Sequence, residues 1–334
     1  MVYNLFMKRY LLFSISLLIG IILFIWVIKF VGWQEIKKAF LVFTGWQGLV
    51  ILLLTFSWLM VSMWKWKEVL KGMGIDLPFF SFFHPFFAGY SIIYLAPMVM
   101  FGGETFRVYY LKEKNSIPLS KGTASVIADR VLDITTNLLI VILGLGFFIV
   151  KIGLLPRNWT IFLGGSFLFW LVGMSFFYFK TLRRESMIRT FLKIFKIGEE
   201  NNQKPFEFEK EIFEYFKLKK PAFWKGLGLA FLEELIIFLR AWLLIFFLIW
   251  KVDPFSVLAI EGFSYLITMV PIPASLGSHE AIQAFAFNSL KLGANFGATF
   301  ILILRGTELV FVFLGLAILY KVGLTLVKRL FKID

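Results

Sequence analysis

Apolar runs of bilayer-crossing length recur from one end of this chain to the other, near residues 11–28, 46–64, 124–150, 160–179, 226–249 and 297–320. A hydrocarbon core about 30 Å thick needs roughly 20 apolar helical residues to cross it, so six full spans are predicted. The runs are continuous rather than alternating, which excludes a membrane β-barrel. Two further apolar segments fit no single span. Residues 79–100 are interrupted by His84, Pro85, Gly89 and Pro97 and then broken at Gly102-Gly103, while residues 255–290 hold Glu261, Pro271, Pro273, Gly277 and Glu280. Irregular backbone at membrane depth is tolerated only where protein or a water-filled cavity satisfies its polar groups. Both segments therefore read as re-entrant helical hairpins, each returning to the side it came from.

The expected fold is an all-α polytopic membrane protein, a single integral membrane domain over residues 1–334 with about six spans and two hairpins. The composition fits: 59% of the residues are hydrophobic and 43 are Phe, beyond the needs of a soluble core of this size. The run at 11–28 follows Lys8-Arg9 and lacks a small-residue cleavage site, so it reads as a retained anchor. With no Cys and only His84 and His279, disulfides, thiol catalysis and a Cys- or His-rich metal centre are excluded. No P-loop or Gly-rich nucleotide loop is present, and no cofactor is expected.

The net charge of +14 follows the topology. Placing both termini in the cytoplasm puts about 25 of the 35 Lys and Arg on the inner side of a cell membrane. Much of that bias lies in a loop over about 180–225, which carries 12 basic and 7 acidic residues. A basic rim against anionic lipid headgroups accounts for the charge without any nucleic acid.

The strongest internal signal is a duplicated motif. Pro97 precedes Glu104 by seven residues, with Gly102-Gly103 between them, and Arg130-x-x-Asp133 follows. Pro273 precedes Glu280 by seven residues, with Gly277 between them, and Arg305-x-x-Glu308 follows. The predicted spans give the two copies, about 46–150 and 226–320, opposite orientations, as in the inverted repeats of alternating-access transporters.

An ionisable side chain facing lipid at the bilayer centre costs on the order of 3 kcal/mol. Arg130, Asp133, Arg305 and Glu308 are therefore expected to face the interior, paired with each other or with Glu104 and Glu280. Buried ion pairs that only fix helix register are the bland alternative. Glu104 and Glu280 each follow a glycine turn and open a helix, where an acid also complements the helix dipole. The same helix starts suit phosphate, and Gly102, Gly103 and Gly277 would let a ligand approach closely. Arg107 lies one turn beyond Glu104, but its counterpart Gln283 is neutral. Glu233, Glu234 and Arg240 lie in an apolar helix, with Arg240 the best placed as a gate or headgroup contact.

With Gly102-Gly103-Glu104-x-x-Arg107, Arg130 and Pro271-x-Pro273…Gly277-x-x-Glu280 in view, the chain resembles the flippase-like integral membrane domain of lysylphosphatidylglycerol synthases, in its standalone form. The second motif departs from the family's glycine-rich form, with Ala274-Ser275 where glycines are typical. The resemblance implies a lipid translocase for an anionic phospholipid or polyisoprenoid-linked headgroup, not an enzyme, and without the aminoacyl-transferase domain. Membrane lipids and a separate lipid-modifying enzyme are the implied partners. Two other readings remain open at this point. One is a scaffold for a synthase or glycosyltransferase; the other is a membrane-embedded enzyme using Glu104, Glu280 and the arginines for acid–base work on a lipid phosphate.

Overall fold

The computed structural model describes residues 45–95, 102–153, 157–194, 204–268 and 278–331. Every regular element among them is helical. In chain order these are α1 (Trp46–Gly72), a 3-10 turn (Phe79–Phe82), α2 (Phe83–Leu95), α3 (Gly102–Asn115), α4 (Leu119–Ile152) and α5 (Arg157–Arg183). There follow α6 (Met187–Ile194), α7 (Lys204–Tyr215), α8 (Pro221–Ile249), α9 (Pro254–Thr268), α10 (Ser278–Ser289) and α11 (Ala294–Phe331).

Four of these helices are long and apolar enough to cross a membrane: α1, α4, α5 and α11, which contain the predicted spans 46–64, 124–150, 160–179 and 297–320. The span at 226–249 lies in α8, which carries Glu233, Glu234 and Arg240 in its apolar stretch and qualifies only together with α9, across a bend of 116°. The span at 11–28 lies outside the described residues. Helix α5 identifies the solvent: Phe169 is 73% and Val172 65% exposed. A helix with that much bare apolar surface is stable against lipid, not against water.

Of the two segments read as hairpins, 79–100 contains α2, with α3 beginning just beyond it at Gly102, and 255–290 contains α9 and α10. In the first, α2 packs on α3 and the contacts run antiparallel, with Gly103 against Ile93 and Arg107 against Gly89. At 13 residues, α2 is about 20 Å long and too short to span. In the second, α9 packs on α10, and Gln283 donates to Ser264 Oγ and to the Ile260 carbonyl. Pro97, Pro271, Pro273 and Gly277 lie outside the described residues.

The sharp bend before α9 has a local cause. Trp250 ends α8 in the left-handed region at φ 60°, and its N–H closes on the Phe246 carbonyl. Asp253 Oδ1 then accepts from the Ser256 N–H at 2.9 Å, and Pro254 supplies a first helical residue that needs no hydrogen-bond acceptor.

Three long-range helix pairs organise the bundle, and all are antiparallel. Helix α1 meets α8 from Trp46 against Phe247, through Trp58 on Glu233, to Glu68 on Lys225. Helix α4 meets α9 from Phe147 on Phe255 to Lys151 on Asp253. Helix α11 meets α2 through Arg305 on Tyr94 and Val312 on Ser91. In the last two pairs a glycine lets the backbones touch. A Cβ at Gly144 of α4 would collide with the Leu258 carbonyl of α9, and one at Gly315 of α11 would collide with the Phe87 carbonyl of α2.

Gly144→Leu and Gly315→Leu should each cost about 1–3 kcal/mol through overpacking. Both should lower the thermal unfolding midpoint in detergent. Gly146→Leu, where an added Cβ meets nothing within 4 Å, should leave the midpoint unchanged or slightly raised.

Candidate functional site

The apolar helix α1 buries one stripe at helical spacing: Ile51, Thr55, Leu59, Met63, Trp66 and Val69. Lys65 is fully buried beside that stripe, and its ammonium is held by three carboxylates. It meets Asp133 of α4 in a short ion pair, Glu233 of α8 at 2.7 Å and Asp129 of α4 at 3.6 Å. Asp129 and Asp133 are one helical turn apart, so α4 presents both to the same cation. The ammonium donates to Asp133 and Glu233, and Asp129 adds a third negative charge at ion-pair distance.

On the outer side of Asp133 the charges continue. Arg130 pairs with Glu104, Nε and Nη2 each 2.9 Å from Oε1, and its Nη1 lies 3.5 Å from Asp133. The Arg130 side chain is 41% exposed, against 15% for Glu104 and 21% for Asp133. This is the accessible part of the network. Glu104 stands in the first turn of α3, which begins at Gly102, and Gly103 packs against the Gly89 carbonyl of α2. Below it Arg107 is buried, its Nη1 3.8 Å from Asp129 and its guanidinium stacked over Phe86 and Trp66 at 4.6 and 5.3 Å.

A second, smaller arrangement lies on α8 and α11. Arg240, also buried, meets Glu308 at 3.2 Å and Thr55 of α1 at 3.4 Å, and stacks over Trp58 at 4.9 Å. Arg305 is half-buried one turn before Glu308, and its carbonyl accepts from Tyr94. Glu280 is the third residue of α10.

The two arrangements obey one spacing. Arg240 stands 175 positions after Lys65, and Glu308 stands 175 after Asp133. Each pair thus joins residues 68 apart. Arg130 and Arg305 obey the same interval. The halves differ in charge: Arg107 and Asp129, an ion pair in the first half, give way to Gln283, matched through the Glu104 and Glu280 motifs at 176 positions, and to Leu304, 175 positions after Asp129. Both charges of the pair are absent together, so the second half keeps neither one without its partner.

Sequence reasoning brought Glu104, Arg130 and Asp133 together and set Glu308 in the interior, but it missed Lys65 and Asp129. Lys65 was hidden because the apolar run ends at Trp64, so the lysine reads as a flanking basic residue, whereas α1 continues to Gly72. The signal that reveals it is the 175-residue interval to Arg240. Asp129 sits beside Arg130 and faces Lys65 and Arg107, a contact that depends on how α1 and α3 lie against α4.

The lysylphosphatidylglycerol synthase TM region family model matches residues 13–315 of this chain. A UPF0104 membrane protein of Methanocaldococcus jannaschii is 22% identical over 305 residues, covering 87% of this chain and 89% of that protein. A UPF0104 membrane protein of Pyrococcus horikoshii is 31% identical over 132 residues, 38% of this chain and 37% of that protein. No solved structure matches the chain.

Breaking a buried ion pair on one side typically costs about 3–5 kcal/mol, while replacing both partners costs far less. Arg107→Gln alone and Asp129→Leu alone should each destabilise the protein strongly. The double variant, which copies the second half, should recover much of the loss in detergent unfolding experiments. A double variant whose loss equals the sum of the singles would show the two residues to be uncoupled.

Proposed function

The chain belongs to the lysylphosphatidylglycerol synthase TM region family, and from that premise we propose that it is a lipid translocase. It moves an anionic phospholipid or polyisoprenoid-linked headgroup between the leaflets of the cell membrane. The observation that carries this reading is the duplicated pair, Lys65 with Asp133 and Arg240 with Glu308, on helices α1 and α8 that run antiparallel. Equivalent helices that pack antiparallel are what an inverted repeat requires. Reciprocal exchange adds support, since α4 of the first half lies on α9 and α11 of the second lies on α2.

The full arrangement has six spans and two re-entrant hairpins, with repeats at about 46–150 and 226–320. The basic loop at 180–225 and both termini lie on the cytoplasmic side. Two near-equivalent halves of opposite orientation give two end states of similar energy, one open to each leaflet. Arg130, exposed between Glu104 and Asp133, meets the headgroup phosphate, which its planar donor fork suits. The free N–H groups at Gly102 and Gly103 assist it. Arg305 and Glu280 play the equivalent part in the second half. The buried Arg107 and Arg240 hold Asp129 and Glu308 in place rather than meeting the lipid. Pro97, Pro271, Pro273 and Gly277 let the hairpins rearrange. A separate lipid-modifying enzyme supplies the substrate or uses the product.

Charge-assisted hydrogen bonds contribute about 1.5–3 kcal/mol. In reconstituted vesicles carrying fluorescent lipids, Arg130→Ala and Arg305→Ala should slow translocation roughly tenfold or more, with Glu104→Gln and Glu280→Gln also slowed. Wild-type rates in all four folded variants would remove the charged site from the mechanism and favour a scaffold. Failure of the wild type to move any anionic phospholipid or polyisoprenoid-linked lipid would overturn the translocase reading.

A further inference from the structure

Adjacent glutamates on α8 are held in opposite ways. Glu233 meets only donors that cannot accept: the Lys65 ammonium at 2.7 Å and the Trp58 indole N–H at 2.9 Å. A proton on either Glu233 oxygen would displace the donor held there, Trp58 at Oε1 or Lys65 at Oε2, so these contacts favour the charged form. Glu234 is also buried, at 8% exposure, yet no cation stands within ion-pair distance of it among the described residues. Its partners are neutral. Tyr265 of α9 reaches Oε2 at 2.7 Å, Thr136 of α4 reaches Oε1 at 3.3 Å, and the Asn137 amide, oriented to donate, reaches Oε1 at 2.7 Å.

Each of these partners has two hydrogen-bonding modes. A Tyr or Thr hydroxyl donates to a carboxylate and accepts from a carboxylic acid, and an amide does either after a flip. Both protonation states of Glu234 are thus satisfied without moving a helix. The titratable groups that face it are Glu233 on α8, Glu261 and Tyr265 on α9, and Asp133 on α4, all of them acids. Lys65 of α1 is committed to Asp129, Asp133 and Glu233, and Arg240 to Glu308. Nothing fixed therefore holds Glu234 in the ionised form.

We propose that Glu234, with Tyr265, Thr136 and Asn137, is a proton-exchange site inside the bundle. A proton arriving from water adds to a Glu234 oxygen, and the hydroxyl or amide that had donated to that oxygen turns to accept; release reverses both changes. The site is wired to the ion-pair network. The one hydroxyl proton of Thr136 is shared between Glu234 and the Asp133 and Leu132 carbonyls, at 3.0 and 3.3 Å, and the Asn137 amide donates to the Asp133 carbonyl at 3.1 Å. Protonation of Glu234 redistributes two bonds at the turn of α4 that presents Asp133 to Lys65 and Arg130. On the translocase reading, this couples lipid movement to a proton gradient.

Infrared difference spectra of the purified full chain, recorded between about pH 5 and pH 9, the range in which a buried carboxyl commonly titrates, test the site without any lipid assay. A protonated-carboxyl band should titrate in wild type, vanish in Glu234→Gln and shift in Tyr265→Phe, which loses the hydroxyl contact. Absence of a titrating carboxyl band, or one untouched by both substitutions, overturns the proposal. Should Glu234→Gln fail to fold, the Tyr265→Phe shift decides alone. In vesicles with an imposed pH gradient, wild-type lipid movement should respond to the sign of the gradient, and Glu234→Gln should not. Equal responses would overturn the coupling. Vesicles in which no lipid moves would overturn the translocase reading, while the infrared result would still decide the proton site.

Discussion

A lysine ammonium buried among membrane helices has to be matched by carboxylates, and the assembly of this bundle turns on that constraint at Lys65. Water cannot reach it, and lipid offers it nothing. Asp129, Asp133 and Glu233 satisfy it only when α1, α4 and α8 converge on one point. The same convergence sets the rest of the network. Asp133 faces Lys65 on one side and Arg130 on the other, and Arg130 reaches Glu104 at the start of α3. A buried cation thus links three long helices to the start of α3.

The second half meets the constraint with fewer charges. One guanidinium, Arg240, faces one carboxylate, Glu308, and a hydroxyl from Thr55. Where the first half has Arg107 and Asp129, the second has Gln283 and Leu304. Gln283 still fills the buried position on its hairpin, bonded to α9 as Arg107 is packed on α2. Neutral replacement of both members preserves packing and avoids an unmatched charge, the outcome that desolvation favours. The extra pair in the first half lies directly beneath the exposed Arg130–Glu104 contact.

The sequence by itself determined the class, an all-helical membrane protein, and where its long apolar helices lie. Runs of apolar residues fixed the positions of α1, α4, α5, α8 and α11, because a bilayer sets the length of any helix that crosses it. Pro97, Gly102, Pro271 and Gly277 argue against continuous helices through those segments, since proline lacks a donor and glycine weakens a helix; Pro97, Pro271 and Gly277 lie outside the described residues. The duplicated Glu and Arg-x-x-acid motifs singled out Glu104, Arg130, Asp133 and Glu308, each of which makes an ion pair in the fold.

Tertiary structure alone decided which charge meets which. Arg130 found Glu104, 26 residues earlier, while Glu308 found Arg240, 68 residues earlier on another helix. Lys65 and Asp129 were invisible as partners, because hydropathy records how polar a stretch is and not which way a side chain points. The split between Glu233 and Glu234 is of the same kind. Two identical neighbours on one helix face different helices, and packing gives one a lysine and the other a tyrosine. Hydrophobic length is a one-dimensional property that a sequence carries openly; charge pairing is set by the angles and depths at which helices cross, and those exist only in the assembled fold.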